Sequence, residues 1–388
     1  MGPDLDPVII AGAVRTPMGG FQGALAGTPA TGLGAAAVAA TLARGGAEAG
    51  SVDQVFMGCV LPAGLGQAPA RQAAIGGGLP VGVGTTTVNK VCGSGMMAAM
   101  MAADSIRAGS AEIVVAGGME SMSNAPYLLA KARRGYRMGH GQLIDHMFLD
   151  GLEDAYDKGR SMGSFAEDTA SHYQFTRGEQ DAYALESLRR ASQAIATAAF
   201  ADETVAVGDV AVDEQPGLAR PEKIPQLRPA FREGGTVTAA SSASISDGAA
   251  AMTLARLSVA ERRGIAPLAV LRGAASYAGA PALFTTAPVF AIRRLLERLG
   301  WSVPGVDLFE INEAFAVVPM AAMRELDIPH DRLNVHGGAC ALGHPLGCSG
   351  ARIVVTLIHA LRQAGGRRGV AAICIGGGEA TAVAVELI

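Results

Sequence analysis

Four residues of this sequence have side chains that can do chemistry, each set among glycine or apolar neighbours. Cys92 lies in Val88-Asn89-Lys90-Val91-Cys92-Gly93-Ser94-Gly95, between a predicted strand and a predicted helix. A thiol there meets a helix N-terminus, whose free N–H groups and dipole favour an anion. The turn therefore predicts a lowered thiol pKa and a nucleophile, with flanking glycines that let a substrate approach the backbone. A small buried core cysteine is the other reading. His344, in the glycine-rich turn Gly337–Gly350, can reach a nucleophile on another segment or serve structure alone. Cys374 ends a predicted strand before Gly376-Gly377-Gly378, where parallel α/β sheets gather their sites, though a strand cysteine is also ordinary core. Asn312, in Glu310-Ile311-Asn312-Glu313-Ala314-Phe315-Ala316, is a polar residue in apolar company. It needs partners, either in a buried network or around a catalytic group.

Strands and helices must alternate to bring these four together. Val8–Val14 reads as a buried strand, Gly34–Arg44 as a small-residue helix, and 52–60 as the next strand. Thr85–Val91 reads as a strand, Met96–Ala108 as a helix, and 112–116 as a strand that stops at Gly117-Gly118. This alternation predicts an α/β fold with a mostly parallel sheet. From 122 to 245 the texture changes. Charged and aromatic residues increase, Glu179–Ala199 is an amphipathic helix, and residues 213–229 carry four prolines and read as an irregular excursion. The sequence also repeats weakly. A glycine-rich turn, a helix, and a strand ending in double glycine occur once from Val91 and again from 343, which points to a duplicated α/β unit.

Composition narrows the remaining classes. The 388 residues include 52 glycines, about 13% where roughly 7% is usual, without a collagen period or a low-complexity tract. The net charge of −4 argues against a nucleic-acid binder. The apolar run Val91–Ala103 is too short to span a membrane and is bounded by Lys90 and Asp104. Asp4 and Asp6 do not fit a signal or transit peptide. Met1-Gly2 is followed by Asp6 where a myristoylation signal has Ser or Thr, and Glu386-Leu387-Ile388 is not a peroxisomal tail. Five cysteines without a Cys-x-x-Cys pair form neither a disulfide framework nor a zinc site, so the expectation is a reduced, cytoplasmic protein.

Six segments together resemble the thiolase family from end to end: Arg15-Thr16-Pro17-Met18-Gly19, Val88–Gly95, Gly117–Met122, Asn312–Ala316, Gly343-His344-Pro345 through Arg352, and Cys374–Gly378. The resemblance is strongest to acetyl-CoA acetyltransferases, the acetoacetyl-CoA thiolases. It implies two similar α/β halves in a five-layer αβαβα arrangement. The N-terminal half is 1–121 plus 246–267, the inserted loop domain 122–245 and the C-terminal half 268–388. It also implies a homo-oligomer, a homotetramer built as a dimer of dimers through residues 123–145. Acetyl-CoA, acetoacetyl-CoA and CoA are the implied substrates and products, with no metal or prosthetic group.

Roles follow from the same resemblance. Cys92 is the nucleophile that carries the acetyl group, His344 takes its proton, and Cys374 is the general acid/base. One oxyanion hole uses the backbone N–H groups of Cys92 and Gly376; the other uses His344 and a water held by Asn312. Leu152, Met162, Phe231, Ala239, Ile245, Ala314 and Phe315 line the pantetheine tunnel, and Arg220 contacts a phosphate. Three departures bear on CoA affinity and acyl preference. Ser161-Met162 stands where a His-Met pair is frequent. Ala243, beside Ser244, replaces a serine. Phe284 stands where biosynthetic members often carry Met, and is similar to potassium-activated members, so potassium activation is an expectation. A degradative 3-ketoacyl-CoA thiolase of longer or branched chains shares the same catalytic set. A non-catalytic lipid-binding protein on this fold would be expected to lose one of the four residues, and all four are present.

Overall fold

The strands alternate small and branched apolar side chains, and this alternation sets the layering. In the computed structural model, which describes residues 6–388, the Ile113–Ser121 strand turns Val114 and Ala116 to one core and Ile113 and Val115 to another. The Arg368–Ile375 strand does likewise with Ala371 and Ile373 against Val370, Ala372 and Cys374. The shared central core holds two helices, Ser94–Arg107 and Leu346–Ala364. Ala30–Gly45 and Pro69–Gly76 cover the outer face of the first half. Ala287–Leu299 and Val317–Leu326 cover that of the second. Helices, half-sheet, central helices, half-sheet and helices give the expected five αβαβα layers. Readings that rest on residues 1–5 lie outside the described residues.

The sheet order carries the duplication. In the first half Val8–Arg15 pairs Ser246–Arg256, which pairs Ile113–Ser121, which pairs Gln54–Gly58. In the second half Ala269–Ala278, Glu379–Leu387, Arg368–Ile375 and Leu308–Ile311 follow the same sequence of antiparallel, antiparallel and parallel pairings. The two half-sheets meet at Ile9 and Ile10 against Val270 and Ala269. The Gly84–Val88 edge strand has only a single bridge, Phe309 to Leu333, as its counterpart.

Three expectations change. The sheet is mixed rather than mostly parallel, because the last strand of each half returns antiparallel between its neighbours. The strand expected to stop at Gly117-Gly118 runs on to Ser121. Glycine is required there by crowding: a Cβ would lie 2.1 Å from the Ala250 carbonyl oxygen at Gly117 and 1.9 Å from that of Gly347 at Gly118. The proline-rich 213–229 stretch folds into two helical turns, Glu214–Leu218 and Pro221–Gln226.

Between Ser121 and Ser246 the described chain adds no strand to the large sheet. It holds a two-stranded ladder, Tyr127–Leu128 with Ile144–Asp145, and the helices Met162–Tyr173 and Arg177–Ala196. The second helix starts at a capping box, with the Glu179 N–H on Thr176 Oγ1 at 3.2 Å and the Thr176 N–H on the Glu179 carboxylate at 2.7 Å. Arg15 docks this segment on the sheet. Its buried guanidinium donates to Glu203 at 2.5 Å and to both oxygens of Asp213 at 2.6 and 2.8 Å. Among the described residues no helix is long and apolar enough to cross a membrane.

Candidate active site

The Cys92 turn begins where the Gly84–Val88 strand ends. Asn89 Oδ1 accepts from the Val91 N–H at 3.0 Å. Ser94 Oγ donates to the Val91 carbonyl at 2.6 Å and accepts from the Lys90 N–H at 2.8 Å. These bonds hold Val91 at φ +46°, a left-handed conformation that costs a β-branched residue about 1–3 kcal/mol. The next residue, Cys92, is delivered to the start of the Ser94–Arg107 helix, where it stays partly accessible. An ion pair from Lys90 to Glu379 ties this turn to the final hairpin of the chain.

That hairpin carries Cys374. Its turn, Gly376–Gly378, reverses tightly with Gly377 and Gly378 at φ +92° and +88°. The two turns pack closely: a Cβ on Gly93 would meet the Ile375 side chain at 2.4 Å. The Gly376 amide favours the Cys92 thiolate, and charge on Cys92 opposes ionisation of Cys374, so the two thiols share one site. Burial pushes Cys92 up to about 12, against the pull of the Gly376 and Cys92 amides, and pushes the wholly buried Cys374 well above the usual thiol range. The lowered Cys92 pKa expected from the helix N-terminus is therefore reversed, because desolvation outweighs the amides. Cys92 rests as a thiol and needs a base.

His344 follows Gly343 and donates its backbone N–H to the Ser244 carbonyl at 3.0 Å. Its Nδ1 lies 2.5 Å from Ser349 Oγ, and the Ser349 hydroxyl donates to the Pro345 carbonyl at 2.9 Å. With that proton committed, Ser349 Oγ accepts from His344 Nδ1–H, which makes Nε2 the lone-pair nitrogen. Nε2 is buried and has no partner in the described chain. Burial, helped by the Arg352 charge, pushes the imidazole down to about 3, so it stays neutral and receptive. Leu346, two residues on, packs in the apolar cluster that also receives Cys92.

The Asn312-Glu313 pair divides its work. Glu313 is held in a structural network by Tyr183, Ser187 and Asn334 side chains and the Cys340 amide, at 2.8 to 3.0 Å. Asn312 is wholly buried, its N–H bonded to the Ala372 carbonyl, yet neither Oδ1 nor Nδ2 has a partner. An amide left this way costs about 1–3 kcal/mol, which suits a group kept free for a ligand.

The lining residues fall into two groups. Leu152 and Ile245 join Cys92 against Val60, Leu61, Met122, Met147 and Leu346. Met162, Phe231, Ala314, Phe315 and Phe284 belong with Cys374 in the other cluster. Phe231 meets Phe315 edge-to-face at 5.7 Å, and Phe284 meets Phe165 at 6.1 Å. Ala243 donates its N–H to the Ala314 carbonyl at 3.0 Å, and Ser244 Oγ sits 3.2 Å from Ser246 Oγ. Ala239 and Arg220 are exposed and lie outside both clusters. Sequence reasoning missed Ser349 and Glu120. Ser349 had a usable signal, one helical turn or so beyond His344; Glu120 had another, a charge inside an apolar strand. Among the described residues no group of three or more His, Cys, Asp or Glu is placed to hold a metal.

Known proteins share this arrangement. The family described as thiolase, N-terminal domain, matches residues 8–258, and the one described as thiolase, C-terminal domain, matches residues 265–387. The chain is 49% identical to acetyl-CoA acetyltransferase 2 of Arabidopsis thaliana, covering 98% of this chain and 97% of that one. It is 47% identical to an acetyl-CoA acetyltransferase of Pseudomonas aeruginosa, covering 98% and 99%. The crystal structure of a thiolase from Ascaris suum in complex with coenzyme A superposes with a TM-score of 0.94 at 43% identity, covering 98% and 100% of the two chains. On two domain matches in order and near full-length relatives, this chain belongs to the thiolase family.

Proposed function

We propose that this chain is an acetyl-CoA C-acetyltransferase, joining two acetyl-CoA reversibly into acetoacetyl-CoA and CoA. The observation that carries it is the pairing of two thiols, Cys92 and Cys374, in one buried site of a chain related over nearly its whole length to acetyl-CoA acetyltransferases. Cys92 Sγ attacks the thioester carbonyl of the first acetyl-CoA while His344 Nε2 takes the thiol proton. The C–S bond to CoA then breaks as the departing sulfur takes the Cys374 thiol proton, which leaves Cys374 a thiolate while His344 keeps the proton from Cys92. Cys374, as thiolate, removes a proton from the methyl group of the second acetyl-CoA. The resulting enolate attacks the acetyl carbonyl on Cys92, and as acetoacetyl-CoA forms Cys92 leaves and takes its proton back from His344. Negative charge on the acetyl oxygen is met by the Cys92 and Gly376 N–H groups, and on the enolate oxygen by His344 and a water held by Asn312.

The rest of the reading goes with this activity. The 122–245 segment, an insertion within the N-terminal half of 1–121 plus 246–267 and preceding the C-terminal half of 268–388, binds CoA. Residues 123–145 join two dimers into a homotetramer. The enzyme works in the cytoplasm, in fatty acid metabolism, without a metal or prosthetic group, and potassium activates it. Arg220 contacts a CoA phosphate.

Radiolabelled acetyl-CoA tests the assignment. Cys92→Ala should take up no label. Cys374→Ala should label at Cys92 yet form no acetoacetyl-CoA. Full condensation by Cys374→Ala would remove the base from the scheme. A strong preference for 3-ketohexanoyl-CoA over acetoacetyl-CoA in thiolysis would replace the acetyl specificity with that of a longer-chain thiolase.

A further inference from the structure

One charged side chain of the Gly117–Met122 stretch has no part in the chemistry above. Glu120, near the end of the Ile113–Ser121 strand, is wholly buried. Its Oε2 accepts from the Val60 N–H at 2.9 Å and the Gly347 N–H at 2.8 Å. Its Oε1 accepts from the Leu61 N–H at 3.1 Å and the Cys59 thiol at 3.6 Å. Four donors fill the lone-pair sites of an ionised carboxylate.

The donors come from both halves of the chain. Cys59, Val60 and Leu61 follow the Gln54–Gly58 strand, and Gly347 lies in the first turn of the Leu346–Ala364 helix, three residues after His344. The seat is tight. A Cβ on Gly347 would lie 2.8 Å from the Met119 carbonyl oxygen and 2.9 Å from both Cys59 Cα and Glu120 Oε2. Val60, Leu61 and Leu346, which carry or adjoin these amides, form the apolar wall against which Cys92 packs.

We propose that Glu120 is a positioning residue: its carboxylate fixes the Gly347 amide, and with it the turn that carries His344, against the wall of the Cys92 pocket. This rests on the reading of Cys92 and His344 given above. A side-chain amide in its place turns two donors of its own toward N–H groups, so one side of the clamp opens. Slack of about 1 Å between base and nucleophile is enough to cost roughly 10²-fold in rate.

The test measures turnover per functional site. Wild type, Glu120→Gln and Glu120→Asp are assayed for acetoacetyl-CoA thiolysis, and sites are counted by labelling of Cys92 with radiolabelled acetyl-CoA. Expected is a fall in kcat per labelled site of roughly 10²-fold for Glu120→Gln, with KM for acetoacetyl-CoA little changed. Glu120→Asp keeps the charge but is one methylene shorter, and should recover part of the loss. If Glu120→Gln does not fold, the Asp variant carries the test through its own reduced kcat per site. Wild-type kcat per labelled site in the folded variants would overturn the proposal, because a residue that only stabilises the fold changes the number of sites and not their rate. Thiolysis surviving in Cys92→Ala would instead overturn the underlying reading of the site.

Discussion

Cys92 and His344 sit at opposite extremes, and burial is the common cause. The thiol is pushed up to about 12 and the imidazole down to about 3, so the resting pair is neutral. Charge appears only when the proton moves, and at that moment the His344 Nδ1–H bond to Ser349 becomes charge-assisted. Such bonds contribute about 1.5–3 kcal/mol, equivalent to roughly 10–100-fold in rate. Ser349→Ala should therefore lower kcat by roughly that factor and lower the global stability by about 1–3 kcal/mol, since the buried Nδ1–H is left without a partner. Rapid-quench acylation of Cys92 checks the first effect and urea unfolding the second; an unaltered acylation rate would show that Ser349 does not orient the base. The four candidate residues stood out in the sequence because reactive or polar side chains among glycine or apolar neighbours are conspicuous. The sign of the Cys92 shift was not legible there, because it depends on how much protein packs over the turn, and that protein comes from separate segments along the chain, Val60–Leu61, Met147 and Leu346 among them.

At the scale of elements, the two central helices cross at glycines on both sides. A Cβ on Gly95 would lie 2.8 Å from the Ala351 nitrogen, and one on Gly350 2.6 Å from the Met96 nitrogen. Each contact is to backbone, so neither neighbour can rotate away. Gly350→Ala gains about 1 kcal/mol of helix propensity and loses about 1–3 kcal/mol to overpacking. The expected outcome is a net loss of stability in denaturant unfolding, with reduced turnover because the Leu346–Ala364 helix carries the His344 turn at its start. A Gly350→Ala protein as stable and active as wild type would mean that the helices separate freely at this crossing. Sequence alternation located the first of these helices to within two residues, but gave the second no bounds and read its first turn, Leu346–Gly350, as part of the glycine-rich loop. It misjudged the Ile113–Ser121 strand because Gly117-Gly118 reads as a stop in isolation; the glycines are there to admit the Ala250 and Gly347 carbonyls, a demand made by distant strands and helices.

Across the whole molecule, duplication lets each half supply one thiol turn to a shared site, and the weak sequence repeat already indicated this. What it left unseen was the charge buried between the halves. Unfolded, His344 takes up a proton as pH falls below about 6.5, while the folded imidazole refuses it until about 3. The stability it lends is complete above pH 6.5 and is lost progressively as pH falls toward 3. His336 and His330, also pushed down by burial, act in the same direction. Glu310 acts oppositely. Desolvation raises it to about 8 from an ordinary 4.5, so the folded state holds a proton that the unfolded state releases, and stability falls as pH rises from 4.5 toward 8. The two ranges overlap between pH 4.5 and 6.5, and the stability maximum should lie where the opposing slopes cancel. His344→Asn should flatten the acid limb without abolishing it, since the other two histidines remain. Glu310→Gln should flatten the alkaline limb, although it also weakens the 3.5 Å contact to Arg352 and so lowers the whole curve. Thermal midpoints recorded from pH 4 to 9 for the three proteins separate these effects. An acid limb unchanged in His344→Asn would show that the imidazole is not held neutral by the fold.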